Sequence, residues 1–464
     1  ISLLKADSRA EYLRFNVIPW QKEEGDTITY ATSDPASPEM VKWLASQHPE
    51  GNFRLAVTSP LDIARSVQHY FYMEDDEDAR EGLWRTHPEY SAKTLLQGIS
   101  RIRFIAFIVI MALIAWKTDS FGLYVFLGAS LFYSVTLLFK LSLYCAGIRR
   151  RPSSVSEASI LSDEHTAPLY TILVPLYDEA PVLPRLVNAI RALDYPKSKL
   201  EVKLIVEAND SATLNAIKAL RCEPYFDIIR VPYSLPQTKP KACNYALAYA
   251  KGEYVTIYDA EDIPEPSQLK QAVAFFQTHP EIACLQAKLS YYNHSEHFLT
   301  RMFTLEYGVW FGLFLPGLER LGLPIPLGGT SNHIRMEVLK TLYAWDPYNV
   351  TEDADLGIRL AAYGHKTGTL DSLTLEEAPI SVMAWIRQRS RWIKGYMQTY
   401  LVYMRHPVSL WQRLGMRGFL GFQLFIGAPC LMFLINPFMW GAWGIISWYG
   451  WPALQALSPF IASW

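Results

Sequence analysis

Three acids in four residues, Asp259-Ala260-Glu261-Asp262, follow directly on the apolar run Tyr254-Val255-Thr256-Ile257-Tyr258. Carboxylates at that density repel one another unless a hard cation neutralises them. Mg²⁺ or Mn²⁺, held by one or two carboxylates plus substrate phosphates, suits such a site; a solvated strand end is the plain alternative. Other acids also follow apolar runs: Glu207, then Asp210, after Val202–Val206, and Asp178-Glu179 after the run Tyr170–Pro175 and Leu176-Tyr177. Val350-Thr351-Glu352-Asp353 puts adjacent acids before an apolar helix. Gln388, Arg391 and Trp392 stand at i, i+3 and i+4, on nearby faces of one helix. There a guanidinium can grip a diphosphate while an indole stacks on a sugar.

Residues at strand ends need a sheet to hold them. Strand-like runs at Tyr170–Pro175, Val202–Val206 and Tyr254–Tyr258 alternate with helical patterns at Leu183–Leu193 and Pro240–Ala250. The alternation predicts an α/β domain with a mainly parallel sheet covered on both faces. Ligands of such sheets sit at the carboxyl ends of the strands, where these acids lie.

Taken together, the residues resemble the processive, inverting family 2 glycosyltransferases: cellulose, chitin and hyaluronan synthases. The resemblance spans about residues 95–450 and implies a GT-A, Rossmann-like catalytic domain set among transmembrane helices. It implies that Asp353, preceded by Glu352, is the base for the acceptor hydroxyl. Asp259 and Glu261 stand at the D-x-D metal motif, with Asp262 left open as the second ligand. Nucleotide binding falls to Pro175, Tyr177, Glu179, Glu207, Asp210, Lys239, Lys241, Asn244, Asp259 and Arg391. Acceptor binding falls to Gly329, Thr330 and Ser331, in the loop that begins at Gly328, and to Gln388 and Trp392. The usual Asp-Asp after the second strand is here Glu207-Ala208-Asn209-Asp210, and the cyclic-di-GMP module of cellulose synthases is not found.

Residues 1–72 read as a small α/β module: a hairpin about Gly25-Asp26, a strand at Phe53–Val57, and helices opened by Ser37-Pro38 and Ser59-Pro60. It resembles the N-terminal domain of type II secretion ATPases. Some relatives of that domain bind cyclic di-GMP through an Arg-Leu-Gly-rich segment absent here, so no binding site is carried over. With no catalytic motif, the module is expected to dock a regulatory or export partner. Residues 73–94, with Glu74-Asp75-Asp76-Glu77-Asp78, are expected to be a solvated tether that makes the module removable.

The chain has 464 residues, with 50% hydrophobic and 19% charged. That excludes disorder and argues against a purely soluble protein. A net charge of −2 offers no field for nucleic acid. Five cysteines without a C-x-x-C pair fit a reducing compartment. From Gly418 to Trp464 no residue is charged, enough for two spans broken near Asn436-Pro437 or Pro452. A hairpin of two spans is expected over 95–145, followed by Arg149-Arg150-Arg151. The basic flanks put residues 1–100 and 150–415 in the cytoplasm of a multi-pass bacterial inner-membrane protein. The expected order is thus 1–72, 73–94, 95–145, a catalytic domain at 166–380, interfacial helices at 381–415 and spans at 416–464. The aromatic stretch Tyr307–Phe314 reads as either an interfacial or a core helix.

The expected activity is a UDP-sugar-dependent hexosyltransferase. It would move glucose or N-acetylglucosamine onto a growing β-linked polysaccharide with Mg²⁺ or Mn²⁺, with secretion of the product as a further option. The alternatives are a glycolipid synthase that transfers one sugar to a lipid such as diacylglycerol, and an inactive nucleotide-sensing scaffold. Intact Asp259, Asp353 and Arg391 count against the scaffold.

Overall fold

The computed structural model describes residues 3–23, 27–95, 121–149 and 166–449, with isolated positions between 102 and 113. The first helix of the expected hairpin, the Gly25-Asp26 turn and the end of the uncharged tail lie outside the described residues.

In the N-terminal module β1 (Val17–Lys22) pairs antiparallel with β2 (Ile28–Thr32), which pairs parallel with β3 (Phe53–Val57). The Ser37 hydroxyl caps the helix Pro38–Gln47, whose Met40 and Leu44 close a core with Val17 and Tyr30. Ser59 caps the next helix by accepting from the Asp62 amide at 3.1 Å.

That helix, Pro60–Thr86, overturns the tether. It runs straight through Glu74–Asp78 and packs on the helix Lys239–Leu247 of the α/β domain. Ile63, Val67, Phe71, Asp75, Ala79 and Leu83 recur every four residues and are all buried. A like-charge run resists compaction only while its charges lack partners. Here Asp75 pairs with Arg9 at 2.5 Å and accepts from the Tyr249 hydroxyl, and Asp76 meets Arg80 at 3.0 Å. Glu74, Glu77 and Asp78 stay exposed. The module shares a core with the α/β domain: Tyr12, Ile63 and Phe71 join the cluster that holds Tyr245, Leu339 and Trp345.

The sheet of the α/β domain has eight described strands: β4 (Tyr170–Leu176), β5 (Leu200–Glu207), β6 (Phe226–Val231), β7 (Tyr254–Ile257), β8 (Ile263–Pro264), β9 (Ile282–Tyr291), β10 (Asn332–Arg335) and β11 (Lys366–Glu376). Their order is β6-β5-β4-β7-β10-β9-β11-β8. The first four are parallel, but β10 runs antiparallel to both β7 and β9, and β8 antiparallel to β11. Six of the eight strands thus run one way, as the alternation predicts, and β10 and β8 run against them, so the sheet is mainly parallel but mixed. β4 and β5 are buried on both faces. Ile172, Val174, Val202 and Leu204 face one core, while Leu173 and Ile205 face the other, as strand alternation requires.

Two described helical stretches are long and apolar enough to cross a membrane, Leu127–Ile148 and Pro407–Gly441. The Tyr133 hydroxyl of the first donates to Asn436 of the second. Gly415, at φ 68°, kinks the second stretch near the end of the charged sequence. The expected break at Asn436-Pro437 does not occur: the helix Ala428–Tyr449 continues through Pro437. Tyr307–Phe314 belongs to a helix that runs from Phe298 through a π-turn at Trp310–Phe314 into Leu315–Arg320. The wider turn accommodates Pro316, whose ring would clash with the Gly312 carbonyl four residues before it. The Phe314 ring lies 4.6 Å from that of Tyr144 on the first apolar helix.

Candidate active site

β4, β5 and β7 end at one cleft of about 430 Å³, lined by Pro175, Tyr177, Glu179, Glu207, Gln237, Thr238, Lys239, Asp259 and Glu261 among others. The turn after β7 sorts its three acids. Asp262 points inward, 1% exposed, and its Oδ2 accepts from the Asp259 amide at 2.7 Å and from the Thr330 hydroxyl. Burial pushes its carboxyl well above the usual range. Asp259 and Glu261 are left lining the cleft.

The Lys239 ammonium lies 2.6 Å from Asp259 Oδ1 and donates to the Gly329 carbonyl at 2.5 Å. Burial opposes its charge, but Asp259, Asp353 and Glu352 outweigh that and raise its pKa well above normal. Glu179 and Glu261 are pushed up by burial and by neighbouring carboxylates, Asp178 and Asp259 foremost. So much negative charge around one ammonium calls for a further cation. Among the described residues no group of three or more ligating side chains gathers around one point. Two carboxylates, Asp259 and Glu261, with phosphate oxygens filling the remaining positions, is the donor set that Mg²⁺ or Mn²⁺ accepts. The residues fit the metal on those terms.

Asp353 opens the helix Glu352–Ala362 and is 8% exposed. Its Oδ1 has no hydrogen-bond partner in the protein. Burial raises its pKa to about 7, against the pull of Lys239. Glu352 beside it is pushed well above its usual value by burial and by Asp353. Gly357, one turn on, explains how the helix gets so close. A Cβ there would sit 2.1 Å from the Ile325 carbonyl, so only glycine lets the helix press on the loop that leads to Gly329. The Thr351 side chain packs against the helix Val382–Tyr403 at Gly395, where a Cβ would lie 2.3 Å from Oγ1. Gln388, Arg391 and Trp392 are seven, four and three residues before Gly395 and share its side of that helix. Arg391 is exposed, Gln388 keeps a buried Oε1 without a partner, and the Arg389 guanidinium covers the Trp392 ring at 4.4 Å.

Several expected site residues lie outside the cleft lining. Lys241 is fully buried behind Glu207, paired with it at 3.1 Å. Asn244 bonds the Trp345 backbone and the Ala79 carbonyl. Asp210 caps the helix Ser211–Leu220 and accepts from the Asp178 amide at 2.7 Å. Thr330 and Ser331 are buried and bond inward, Ser331 to Thr374 and Thr330 to Ile257 and Asp262, so only Gly329 of that loop is exposed. Sequence reasoning missed Gln237, whose Nε2 is unpartnered in the cleft wall, and Thr238. It also missed Glu376 at the end of β11, raised well above normal by burial and by Asp262, Asp259 and Glu261. The pattern of acids after strands, applied to the Lys366–Glu376 run, would have found it.

With this geometry in place, residues 167–395 match the family described as Glycosyltransferase like family 2, and residues 3–77 match the MshEN domain. The chain carries a family 2 glycosyltransferase domain. Its fold is GT-A-like, built on the mixed sheet above. The chain is 26% identical to "probable glycosyltransferase YdaM" of Bacillus subtilis over 242 residues, 51% of this chain and 57% of that one. It is 26% identical over 309 residues to the beta-monoglucosyldiacylglycerol synthase of a Synechocystis strain, covering 63% of this chain and 64% of that one. The chain thus spans less than two thirds of the length of these relatives. The mannosyltransferase PcManGT from Pyrobaculum calidifontis, solved with GDP-Man and Mn²⁺, aligns with a TM-score of 0.45 at 18% identity, over 72% of this chain and 94% of that one.

Proposed function

We propose that the glycosyltransferase domain transfers glucose or N-acetylglucosamine, with inversion, from a UDP-sugar to a growing β-linked polysaccharide at a membrane. The observation that carries the reading is Asp353, a buried carboxylate with one unpartnered oxygen and a pKa near 7, beside the Lys239–Asp259 pair. In this reading Asp353 Oδ1 takes the proton of the acceptor hydroxyl as its oxygen attacks the anomeric carbon. The bond from that carbon to the diphosphate breaks on the opposite face, with no covalent intermediate. Tyr177, 58% exposed above Pro175, offers a stacking face to the base. Glu179 and Glu207 accept from the nucleoside, and Gln237 donates to it. Lys239 and Arg391 take the charge of the departing diphosphate. A divalent cation held by Asp259 and Glu261 would neutralise that diphosphate further. Gly329, Gln388 and Trp392 receive the acceptor.

We place this activity at an inner membrane crossed by several helices, with the catalytic domain on the cytoplasmic side and a regulatory or export partner at residues 1–72; the two apolar stretches support a membrane setting. One observation favours a second reading, transfer of a single sugar to a lipid. Phe298 and Leu305 on the helix Phe298–Val309, and Val382 and Met383 on the helix Val382–Tyr403 with Ile380 just before it, are exposed apolar residues, a surface that suits a bilayer-borne hydroxyl. Incubating purified protein with radiolabelled UDP-sugars and sizing the product decides between them: a polymer supports the first reading, one sugar on an extractable lipid the second.

A further inference from the structure

The segment Pro232–Thr238 leaves β6 without helix or strand and puts Gln237 and Thr238 on the cleft wall. It is held from two sides. From within, Lys241 Nζ donates to the carbonyls of Pro232 at 3.2 Å and Ser234 at 3.4 Å, and pairs with Glu207. From outside, the Ser234 hydroxyl donates to Asp76 Oδ1 at 2.6 Å, and the other Asp76 oxygen meets Arg80 Nε at 3.0 Å. Arg80 Nη1 reaches the Leu235 carbonyl at 3.5 Å. Asp76 and Arg80 belong to the long helix of the N-terminal module, and Asp76 is 7% exposed. A helix that only braced its neighbour would need its apolar stripe and no charge aimed at this segment.

We propose that Asp76 and Arg80 are positioning residues for the donor: by clamping Pro232–Thr238, the N-terminal module sets how tightly the cleft holds a nucleoside diphosphate. The inference rests on the donor-site reading given under Proposed function. An irregular wall must be ordered when ligand binds, and that ordering weakens binding unless the fold has already imposed it. The clamp imposes it in advance. Asp353 lies on a separate helix, so the chemical step is untouched by the clamp's loss.

The test uses the full chain with Ser234→Ala, Asp76→Ala and Arg80→Met, and Arg54→Ala as control, an exposed residue of the same module paired with Glu23. UDP with Mg²⁺ is titrated calorimetrically, steady-state constants are measured, and amide exchange is followed over residues 232–238. Loss of one buried hydrogen bond to a charged group predicts a rise of about ten- to a hundred-fold in UDP Kd and donor KM for Asp76→Ala. kcat should stay within about two-fold, exchange over the segment should quicken, and Arg54→Ala should match the parent. The double variant Asp76→Ala/Ser234→Ala should bind no more weakly than Asp76→Ala. UDP affinity unchanged in Ser234→Ala and Asp76→Ala, or kcat lost with KM unchanged, overturns the proposal. If Asp76→Ala does not fold, Ser234→Ala decides, since it removes a single hydroxyl. If the parent binds no UDP, the donor reading fails separately; exchange then decides the clamp, quickened in Ser234→Ala upholding it and unchanged exchange refuting it.

Discussion

Lys239 holds its ammonium nitrogen 2.6 Å from Asp259 Oδ1, at the end of β7. The same nitrogen bonds the Gly329 carbonyl. The lysine therefore ties the end of β7 to the loop beside Asp353, and its charge offsets the carboxylates on both sides. Lys239→Met should let Asp259 bind Mn²⁺ at least as tightly as in the parent, because a competing cation is gone. Turnover should nevertheless fall by roughly 10²-fold, since the departing diphosphate loses a charge-stabilising partner. Metal titration and single-turnover rates on the same variant separate the two effects.

Asp353 sets a pH dependence. Burial raises its pKa to about 7, so the ionised base is present above that pH and is lost as the pH falls through it. kcat/KM should therefore drop about tenfold per pH unit below 7. Asp353→Asn keeps the shape, removes the basicity and should lower turnover by roughly 10²- to 10⁴-fold. UDP affinity should hold. The pH profile of kcat/KM checks the first expectation, and initial rates with UDP titration check the second.

Metal dependence gives a third expectation. Activity should vanish in excess EDTA and return with Mg²⁺ or Mn²⁺, and Asp259→Ala should abolish the metal-dependent part of UDP binding. Glu261→Ala should weaken it. Asp262→Ala should instead lower the melting temperature, because Asp262 bonds the Asp259 amide and the Thr330 hydroxyl inside the fold. Calorimetric UDP titration with and without metal, paired with thermal melts, distinguishes the three.

The sequence was most informative where strands are buried and followed by charge. Tyr170–Leu176, Leu200–Glu207 and Tyr254–Ile257 form where near-continuous apolar runs predict them. β10 was not legible: its four residues include a buried histidine, His333, held by Tyr170 and Gln268, and no apolar run marks them. That strand, with the two-residue β8, is what makes the sheet mixed. Motif residues were legible as types, but the direction of a side chain was not. Lys241 and Asp262 differ from Lys239 and Asp259 only in pointing inward, which depends on tertiary contacts. The acidic run reads as a tether by its charge alone, while its spacing places Asp75 on a buried helical stripe. The every-fourth-residue stripe from Ile63 to Leu83 was there to be read, with Asp75 in its line.

That stripe also reverses an expectation about removability. Deleting residues 1–78 would uncover the apolar cluster around Tyr245 and strand Tyr249 without Asp75. The truncated protein should aggregate or melt well below the parent. Arg9→Met tests the buried pair alone. It leaves the Asp75 charge, 3% exposed, without its guanidinium and should cost about 3 kcal/mol of stability. Denaturant melts of the full-length variant against the parent check the figure.

The central claim is that this cleft breaks the bond between a sugar and a nucleoside diphosphate with Asp353 as base. The most direct measurement follows release of UDP from a panel of UDP-sugars by the detergent-purified chain, parent and Asp353→Asn side by side, with Mg²⁺ or Mn²⁺ and a membrane extract as acceptor source. The account predicts metal-dependent UDP release from UDP-glucose or UDP-N-acetylglucosamine by the parent, and loss of at least about 10²-fold in Asp353→Asn with UDP still bound. Release by Asp353→Asn at more than half the parent's rate would contradict it.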